Sequence, residues 1–80
     1  RIIMTELLIA MAAGLVENPD AVTATVDEAN EEGVIVYHLH VADDDMGRVI
    51  GKQGRIAKAI RTVMRAAANR GNQKIVIEID

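Results

Sequence analysis

The chain lacks cysteine, serine, phenylalanine and tryptophan, and Tyr37 is its only aromatic residue. Without cysteine it has no disulfide, no thiolate metal site and no cysteine nucleophile. Without serine as well, it has little material for covalent catalysis. We therefore predict a cytoplasmic protein that is not an enzyme and that needs no cofactor. Its 80 residues, half of them apolar, suffice for one small domain with a core of Ile, Val, Leu, Ala and Met.

The charge of the chain is strongly divided, although its net value is only −3. Residues 1–47 include one basic and ten acidic residues, a net charge of −9, whereas residues 48–80 include eight basic and two acidic residues, a net charge of +6. No acid occurs from Arg48 to Lys74. The second part of the chain can therefore present a positive surface to an anion even though the protein is acidic. A basic helix face that is merely solvated is the alternative.

The most informative stretch runs from Arg48 to Arg61 and joins an apolar pair, a Gly-x-x-Gly turn and a basic amphipathic segment. Gly51 and Gly54 can adopt positive φ and expose backbone N–H groups, and a helix predicted to start at Arg55 adds its positive end. Together these features favour a nucleic-acid phosphate as the ligand. A phosphate-handling enzyme is the least favoured alternative, because no Walker-type GxxxxGK[ST] follows a strand and GKQG is too short to wrap a triphosphate.

Apolar residues at helical spacing predict a first helix of roughly 12 to 15 residues, which ends where Asn18 precedes Pro19. Its predicted apolar positions are Ile3, Leu7, Leu8, Met11 and Leu15. Met4 reads like a natural start, which leaves residues 1–3 as a candidate non-native extension. The same stretch has some features of a secretory signal, but Glu6 interrupts its apolar part, so export is the less favoured interpretation.

Alternating β-branched residues predict a strand at residues 21–26 and a second strand at residues 34–41, joined by a polar loop at residues 27–33. The core face of the second strand is predicted to carry Ile35, Tyr37, Leu39 and Val41. His38 and His40 lie on its opposite face. They could form an H-x-H metal pair, but no third ligand is identifiable, so two exposed histidines are the favoured interpretation.

Three aspartates at residues 43–45 are predicted to cap a short helix, in preference to binding Mg²⁺. This helix should end at Gly51, and the next should run from Arg55 to about Arg70. The core stripe of that second helix is predicted to be Ile56, Ile60, Val63 and Ala67, and its basic stripe Arg55, Lys58, Arg61 and Arg65. A last strand at residues 74–80 should turn Ile75, Ile77 and Ile79 inward.

The string Val-Ile-Gly-Lys-Gln-Gly-Arg-Ile-Ala-Lys-Ala-Ile-Arg, residues 49–61, resembles the small bacterial KH-domain RNA-binding proteins of the KhpA type. The resemblance extends from Met4 to Asp80, and the predicted order of elements is that of the type II KH fold. The resemblance implies a single KH domain over residues 1–80. Its fold would be α+β with the order αββααβ, in which three helices pack on one face of a three-stranded mixed sheet.

In that family single-stranded RNA lies in a groove between the helices that flank GxxG and the second strand, and the GxxG loop clamps the phosphates of about four nucleotides. The resemblance implies that the RNA-binding residues here are Arg48, Val49, Ile50, Gly51, Lys52, Gln53, Gly54, Arg55, Ile56 and Lys58. A core role for Ile50 and Ile56 is an equal alternative. Ala57 stands where the family pattern has a larger aliphatic residue, so the groove floor is expected to be shallow.

Binding by one chain is expected to be weak, because without Phe and Trp each base forfeits about 1–3 kcal/mol of stacking. An apolar first helix and the outward-facing Val34, Val36 and Val76 predict a homodimer. The resemblance implies the same homodimer, pairing with a Jag/KhpB-type KH protein, and no membrane partner. It also implies an RNA chaperone or post-transcriptional regulator with a link to cell growth and division. The alternative is a protein-interaction adaptor with a KH fold that no longer binds RNA.

Overall fold

The computed structural model describes residues 4–80, except for the side chains of Lys52 and Gln53. Two α-helices, a 3₁₀ helix and three strands follow one another along the chain. They are α1 (Met4–Ala13), the 3₁₀ helix (Pro19–Ala21), β1 (Thr23–Val26), β2 (Val34–His40), α2 (Asp43–Arg70) and β3 (Lys74–Ile79). The possible extension at residues 1–3, and with it Ile3, lies outside the described residues.

The three strands form a mixed sheet in the order β1-β2-β3. β1 pairs antiparallel with β2, with Ala24 opposite Leu39, and β2 pairs parallel with β3, with Tyr37 beside Ile77. These side chains share one face with Val41, and Tyr37, Leu39, Val41 and Ile77 are buried against the helices. The predicted core face of β2 and the predicted α+β class with a three-stranded mixed sheet are confirmed.

α1 is shorter than predicted and ends at Ala13, and its buried residues are Leu8 and Ala12. Leu15, which was expected to continue the apolar stripe, lies beyond the helix and is exposed. Pro19 starts the 3₁₀ helix, so β1 begins two residues later than predicted. Among the helices described between residues 4 and 80, none is both long and apolar enough to cross a membrane.

α2 changes direction at the second glycine of the GxxG sequence. Its hydrogen bonding is helical from Asp43 to Arg70, but Gly54 has a φ of +68°, which a continuous right-handed helix does not allow. A straight helix of its 28 residues would be about 42 Å long, whereas the longest dimension of the molecule is 34 Å. α2 therefore consists of two helical segments that meet at Gly54, and no separate loop interrupts the helix at Gly51.

The second segment of α2 is rotated by about one residue from its predicted orientation. Its buried residues are Ala57, Ile60, Met64 and Ala68. Val63, predicted for the core, is 45% exposed, and only Ile60 of the predicted stripe is fully buried. Arg61, predicted for the exposed basic stripe, is half-buried, and its Nε donates to the carbonyl oxygen of Ile77 at 3.4 Å. Ala57, Met64 and Ala68 are therefore buried in place of Ile56, Val63 and Ala67.

The face of the sheet that the helices leave open carries charged residues around His38. The Nε2 atom of His38 lies 2.8 Å from Oδ2 of Asp27, and its Nδ1 atom lies 3.2 Å from Oε1 of Glu78. The hydrogen bond to Asp27 and the neighbouring carboxylates raise the pKa of His38. Over residues 4–80, side chains of Lys52 and Gln53 aside, no group of three or more metal-ligating residues could hold an ion.

Candidate nucleic-acid interface

Asp45 anchors the first turn of α2 to the segment that follows α1. Its side chain is 1% exposed, and its carboxylate accepts hydrogen bonds from the backbone N–H groups of Glu17 at 3.1 Å and Asn18 at 3.0 Å. The Nδ2 group of Asn18 donates to the same carboxylate at 3.0 Å. The predicted capping role is wrong for this residue, because the helix N-cap is Ala42 and makes no side-chain cap bond. Asp45 instead satisfies N–H groups in a different part of the chain.

The environment of Asp45 favours its charged form. Burial by itself raises the pKa of a carboxyl group, but the donors from Glu17 and Asn18 and the nearby Arg48 outweigh it, so the pKa of Asp45 is lowered. The carboxylate therefore stays charged at neutral pH and holds the end of the α1 connection against α2.

Arg48 lies one turn after Asp45 and already has carboxylate partners. Its Nη2 atom is 2.7 Å from Oε1 of Glu17, and its Nε atom is 3.8 Å from Oδ1 of Asp45. Both Arg48 and Glu17 are largely exposed, so solvent screens this pair and it is easily replaced. A phosphate that approached Arg48 would compete with Glu17 for the same guanidinium.

A cavity of about 360 Å³ opens beside the GxxG sequence. Its lining residues are Leu15, Gly47, Arg48, Gly51 and Ile56. The apolar part comes from the connection after α1 and from the second segment of α2, and the charged part comes from Arg48. No residue of β2 lines this cavity, although the groove was expected to border that strand. β2 is the central strand of the sheet and is paired on both sides. Leu15, from the connection after α1, lies beside the glycines where a residue of β2 was expected.

The three glycines of the interface, Gly47, Gly51 and Gly54, differ in backbone conformation, but each faces open space. Apart from its neighbours in the chain and the backbone of its own helix, a Cβ atom built on Gly47, Gly51 or Gly54 would meet no atom of the described residues within 4 Å. Gly54 has positive φ, which explains a glycine there. Gly47 and Gly51 are helical without positive φ, and glycine at such positions is unfavourable relative to alanine. Neither backbone strain nor packing in the described part of the chain accounts for these two glycines.

The structure places the other predicted RNA-binding residues in different environments. Val49 is 0% exposed and belongs to the core, so its side chain does not reach the surface of the interface. Ile50 is 49% exposed on the outside of α2. Arg55 and Lys58 are exposed, and Ile56 is half-buried where the cavity begins. The predicted contacts of Lys52 and Gln53 depend on side chains that lie outside the described part of the structure.

Sequence reasoning missed Leu15 and Gly47 as residues of the interface. Gly47 precedes Gly51 by four residues, and this spacing places both on the same side of one helix. This spacing can be read from the sequence and could have identified Gly47 as a residue of the interface. Leu15 gave no such signal, because only the contact between Asp45 and the connection after α1 brings it to the glycines.

Comparison with known proteins identifies relatives along nearly the whole chain. A family profile described as "KhpA/KhpB, KH domain" matches residues 5–79. A Clostridium acetobutylicum protein named RNA-binding protein KhpA is 54% identical over 76 residues, which cover 95% of this chain and 99% of the relative. Proteins of the same name from Clostridium perfringens and Caldanaerobacter subterraneus are 53% and 50% identical, with the same coverage. The matched region contains every residue that lines the cavity beside Gly51.

Proposed function

Because the chain belongs to the KhpA/KhpB family of KH domains, we propose that it binds single-stranded RNA in the cavity beside Gly51. In this proposal phosphates approach the bare helix surface at Gly47, Gly51 and Gly54, and the GxxG sequence clamps the backbone of the strand. The family is one of binding proteins and not of enzymes. The predicted resemblance and the predicted lack of enzymatic activity are thereby confirmed.

The observation that carries the proposal is the open space above Gly51. A helical glycine without positive φ costs about 0.5–1 kcal/mol relative to alanine, yet no neighbour in the described chain would touch a Cβ there. The close approach of a ligand to the backbone would explain a glycine at this position. The adjoining Arg48 supplies a positive charge, and only one exposed carboxylate, that of Glu17, competes for it.

The lining of the cavity is consistent with a single strand whose bases contact aliphatic side chains. Leu15 and Ile56 offer apolar surface, and Arg48 offers donors to a phosphate. None of the lining residues is aromatic, so bases gain dispersion and hydrophobic contact but no aromatic stacking. We infer modest affinity for one chain, in which phosphate contacts contribute most of the binding free energy.

Replacing Lys52 and Gln53 together by aspartate tests the clamp, because the double change puts two negative charges between the two glycines. We expect the affinity for an oligo(U) tetranucleotide to fall by roughly tenfold or more, with an unchanged circular dichroism spectrum. Fluorescence anisotropy measures the affinity. Gln73→Asp with Lys74→Asp is the matched control, since it makes the same substitutions beyond the end of α2, away from the cavity beside Gly51 that the tetranucleotide would occupy. Equal affinity for both double variants would overturn the clamp.

We extend the proposal to self-association. Val63 and Val76 are each 45% exposed, and Val63 borders an apolar cavity of about 400 Å³ between the helices, which Met4 and Leu7 also line. A second copy of the chain would cover such a surface, and two linked weak sites would bind one RNA more tightly than either alone. We also propose pairing with a KhpB-type protein, which shares this family description. Such a pair would likewise bring two binding sites together on one RNA.

We also propose that this binding serves post-transcriptional regulation or RNA chaperoning in the cytoplasm, with a link to cell growth and division. Weak, phosphate-dominated contact suits a protein that must bind and release many RNAs. An adaptor that does not bind RNA would give no anisotropy change with any oligonucleotide, and the experiment above therefore separates the two functions.

A further inference from the structure

The exposed side of the second segment of α2 forms a continuous basic face that leads away from the proposed clamp. Its members recur every three or four residues, begin directly after Gly54 and are all exposed. They are Arg55, Lys58, Thr62, Arg65 and Asn69. This spacing keeps them within about 80° of one another around the helix and spans about 21 Å along it. We call this set the α2 basic face.

The α2 basic face ends at a cavity of about 250 Å³ between the last turns of α2 and the start of β3. Four of its six lining residues carry hydrogen-bond donors and none is acidic; the lining residues are Arg65, Ala68, Asn69, Gln73, Lys74 and Ile75. Two cations and two amides are the groups that bind phosphate oxygens. This cavity is separate from the one beside Gly51, with which it shares no residue.

The cations of this face have no acidic partner of their own. All twelve acids of the chain lie in its described part, and no carboxylate there is within 4.0 Å of Arg55, Lys58, Arg65 or Lys74. Arg48, in contrast, is paired with Glu17. Arg61 lies on a different side of the helix, and its Nε donates a hydrogen bond to the carbonyl oxygen of Ile77. The donors around Arg65 and Lys74 are therefore available to an external anion.

We propose that the cavity of Arg65, Asn69, Gln73 and Lys74 is a second phosphate site, at which an RNA longer than the clamp can hold continues along the α2 basic face. The inference rests on the proposed function, because the strand is the one held at Gly51. The clamp takes about four nucleotides, and the face begins at Arg55, the residue after the clamp. A small free anion would not need the path of cations that connects the two cavities.

Substitution of Arg65 by alanine, measured with RNAs of two lengths, tests the second site. We expect Arg65→Ala to weaken binding of an oligo(U) dodecanucleotide by about fivefold at 0.1 M salt and to make the salt slope about 0.7 less negative. Its affinity for the tetranucleotide should be unchanged. Lys74→Ala, on β3, should behave in the same way. Arg70→Ala removes the same charge from the same end of α2, on the side that lines the cavity of Met4 and Leu7. It is the matched control once light scattering shows that it has the same mass as the wild type.

The side-chain amide signals of Asn69 and Gln73 give a second readout by NMR. Both should shift on titration with the dodecanucleotide and stay in place with the tetranucleotide. Equal losses from Arg65→Ala and Arg70→Ala would reduce the effect to general electrostatics and overturn the site. A shift of the two amides with inorganic phosphate, together with no shift on titration with the dodecanucleotide, would assign the cavity to a small anion and also overturn it. If the wild-type chain binds neither RNA, the proposed function itself fails.

Discussion

Gly51 and Gly54 are glycine for different physical reasons. Gly54 has a φ of +68°, a conformation that costs other residues about 1–2 kcal/mol. Gly51 does not have positive φ and faces open space. Gly54 is therefore required by the change of direction in α2, whereas the proposed RNA ligand would explain Gly51.

Alanine substitutions at the two glycines should have opposite effects on stability. We expect Gly51→Ala to stabilise the protein by about 0.5–1 kcal/mol and Gly54→Ala to destabilise it by about 1–2 kcal/mol, both measured by urea denaturation. Gly51→Ala should nevertheless weaken RNA binding severalfold, because its methyl group occupies the space that a phosphate approaches. A Gly51→Ala variant that is more stable and binds RNA as well as the wild type would separate this glycine from the interface.

In the proposed interface, Glu17 would compete with RNA for Arg48. The ion pair is short but largely exposed, so its contribution lies in the range of about 0.2–1 kcal/mol for surface pairs. Glu17→Gln should therefore raise RNA affinity by about two- to fivefold in anisotropy measurements. Glu28→Gln, in the loop between β1 and β2, makes the same charge change away from the cavity and serves as the control. An equal gain for both variants would mean that only net charge matters.

At the scale of elements, the position of the interface depends on one buried carboxylate. Asp45 joins the first turn of α2 to Glu17 and Asn18, and this contact places Leu15 beside the glycines. Within the second segment of α2, Arg61 donates a hydrogen bond to the carbonyl of Ile77 on the edge strand β3. These two contacts attach both segments of α2, on whose surface we propose that RNA binds, to other parts of the fold.

Asp45→Asn should destabilise the protein at neutral pH, because an amide NH₂ group would replace one acceptor oxygen and face the donor of Glu17 or those of Asn18. The pKa of Asp45 is lowered in the folded state. Its stabilising contribution is thus fully present above the unfolded pKa of 3.8 and is lost as pH falls through the folded value. The stability difference between wild type and variant should shrink in the same range. Urea denaturation from pH 7 to pH 3 measures it.

Asp44→Asn is the control for this experiment, since Asp44 is exposed in the same turn of α2. If Asp45→Asn and Asp44→Asn lost stability equally, the effect would come from the charge at the start of the helix and not from the contact with the α1 connection.

At the scale of the molecule, two exposed valines mark the two surfaces on which copies of the chain could meet. Val63 lies on the helix side, beside the cavity of Met4 and Leu7, and Val76 lies on the open face of the sheet. The open face also carries the ionic cluster around His38, and charged residues are unfavourable at the centre of an interface. The helix side is therefore the better surface for a dimer.

We expect light scattering to give twice the single-chain mass of 8.7 kDa at high micromolar concentration. Val63→Asp should return the mass to that of one chain, because it places a charge within the apolar surface. Val76→Asp is the matched control and should remain dimeric. A monomeric Val76→Asp with a dimeric Val63→Asp would move the interface to the sheet, and a monomeric wild type would end the proposal of self-association.

The amino-acid sequence by itself determined the order of elements, the core face of β2 and the acid-free basic region around GxxG. These features depend on local periodicity and on turn residues. Alternation along β2 assigns Tyr37 and Leu39 to one face whatever packs on them, and a glycine at position 54 permits the positive φ at which α2 turns. The family resemblance rests on the same local string.

Only the tertiary structure decided which side of α2 faces the core and which residues surround the glycines. A helical pattern with apolar residues at adjacent positions fits two neighbouring orientations, and packing against the rest of the core buried Ala57 and Met64 rather than Ile56 and Val63. Asp45 reads as a helix cap in the sequence, but its partners lie 27 and 28 residues away. Such contacts leave no local pattern, because they depend on how the helices and the sheet pack together.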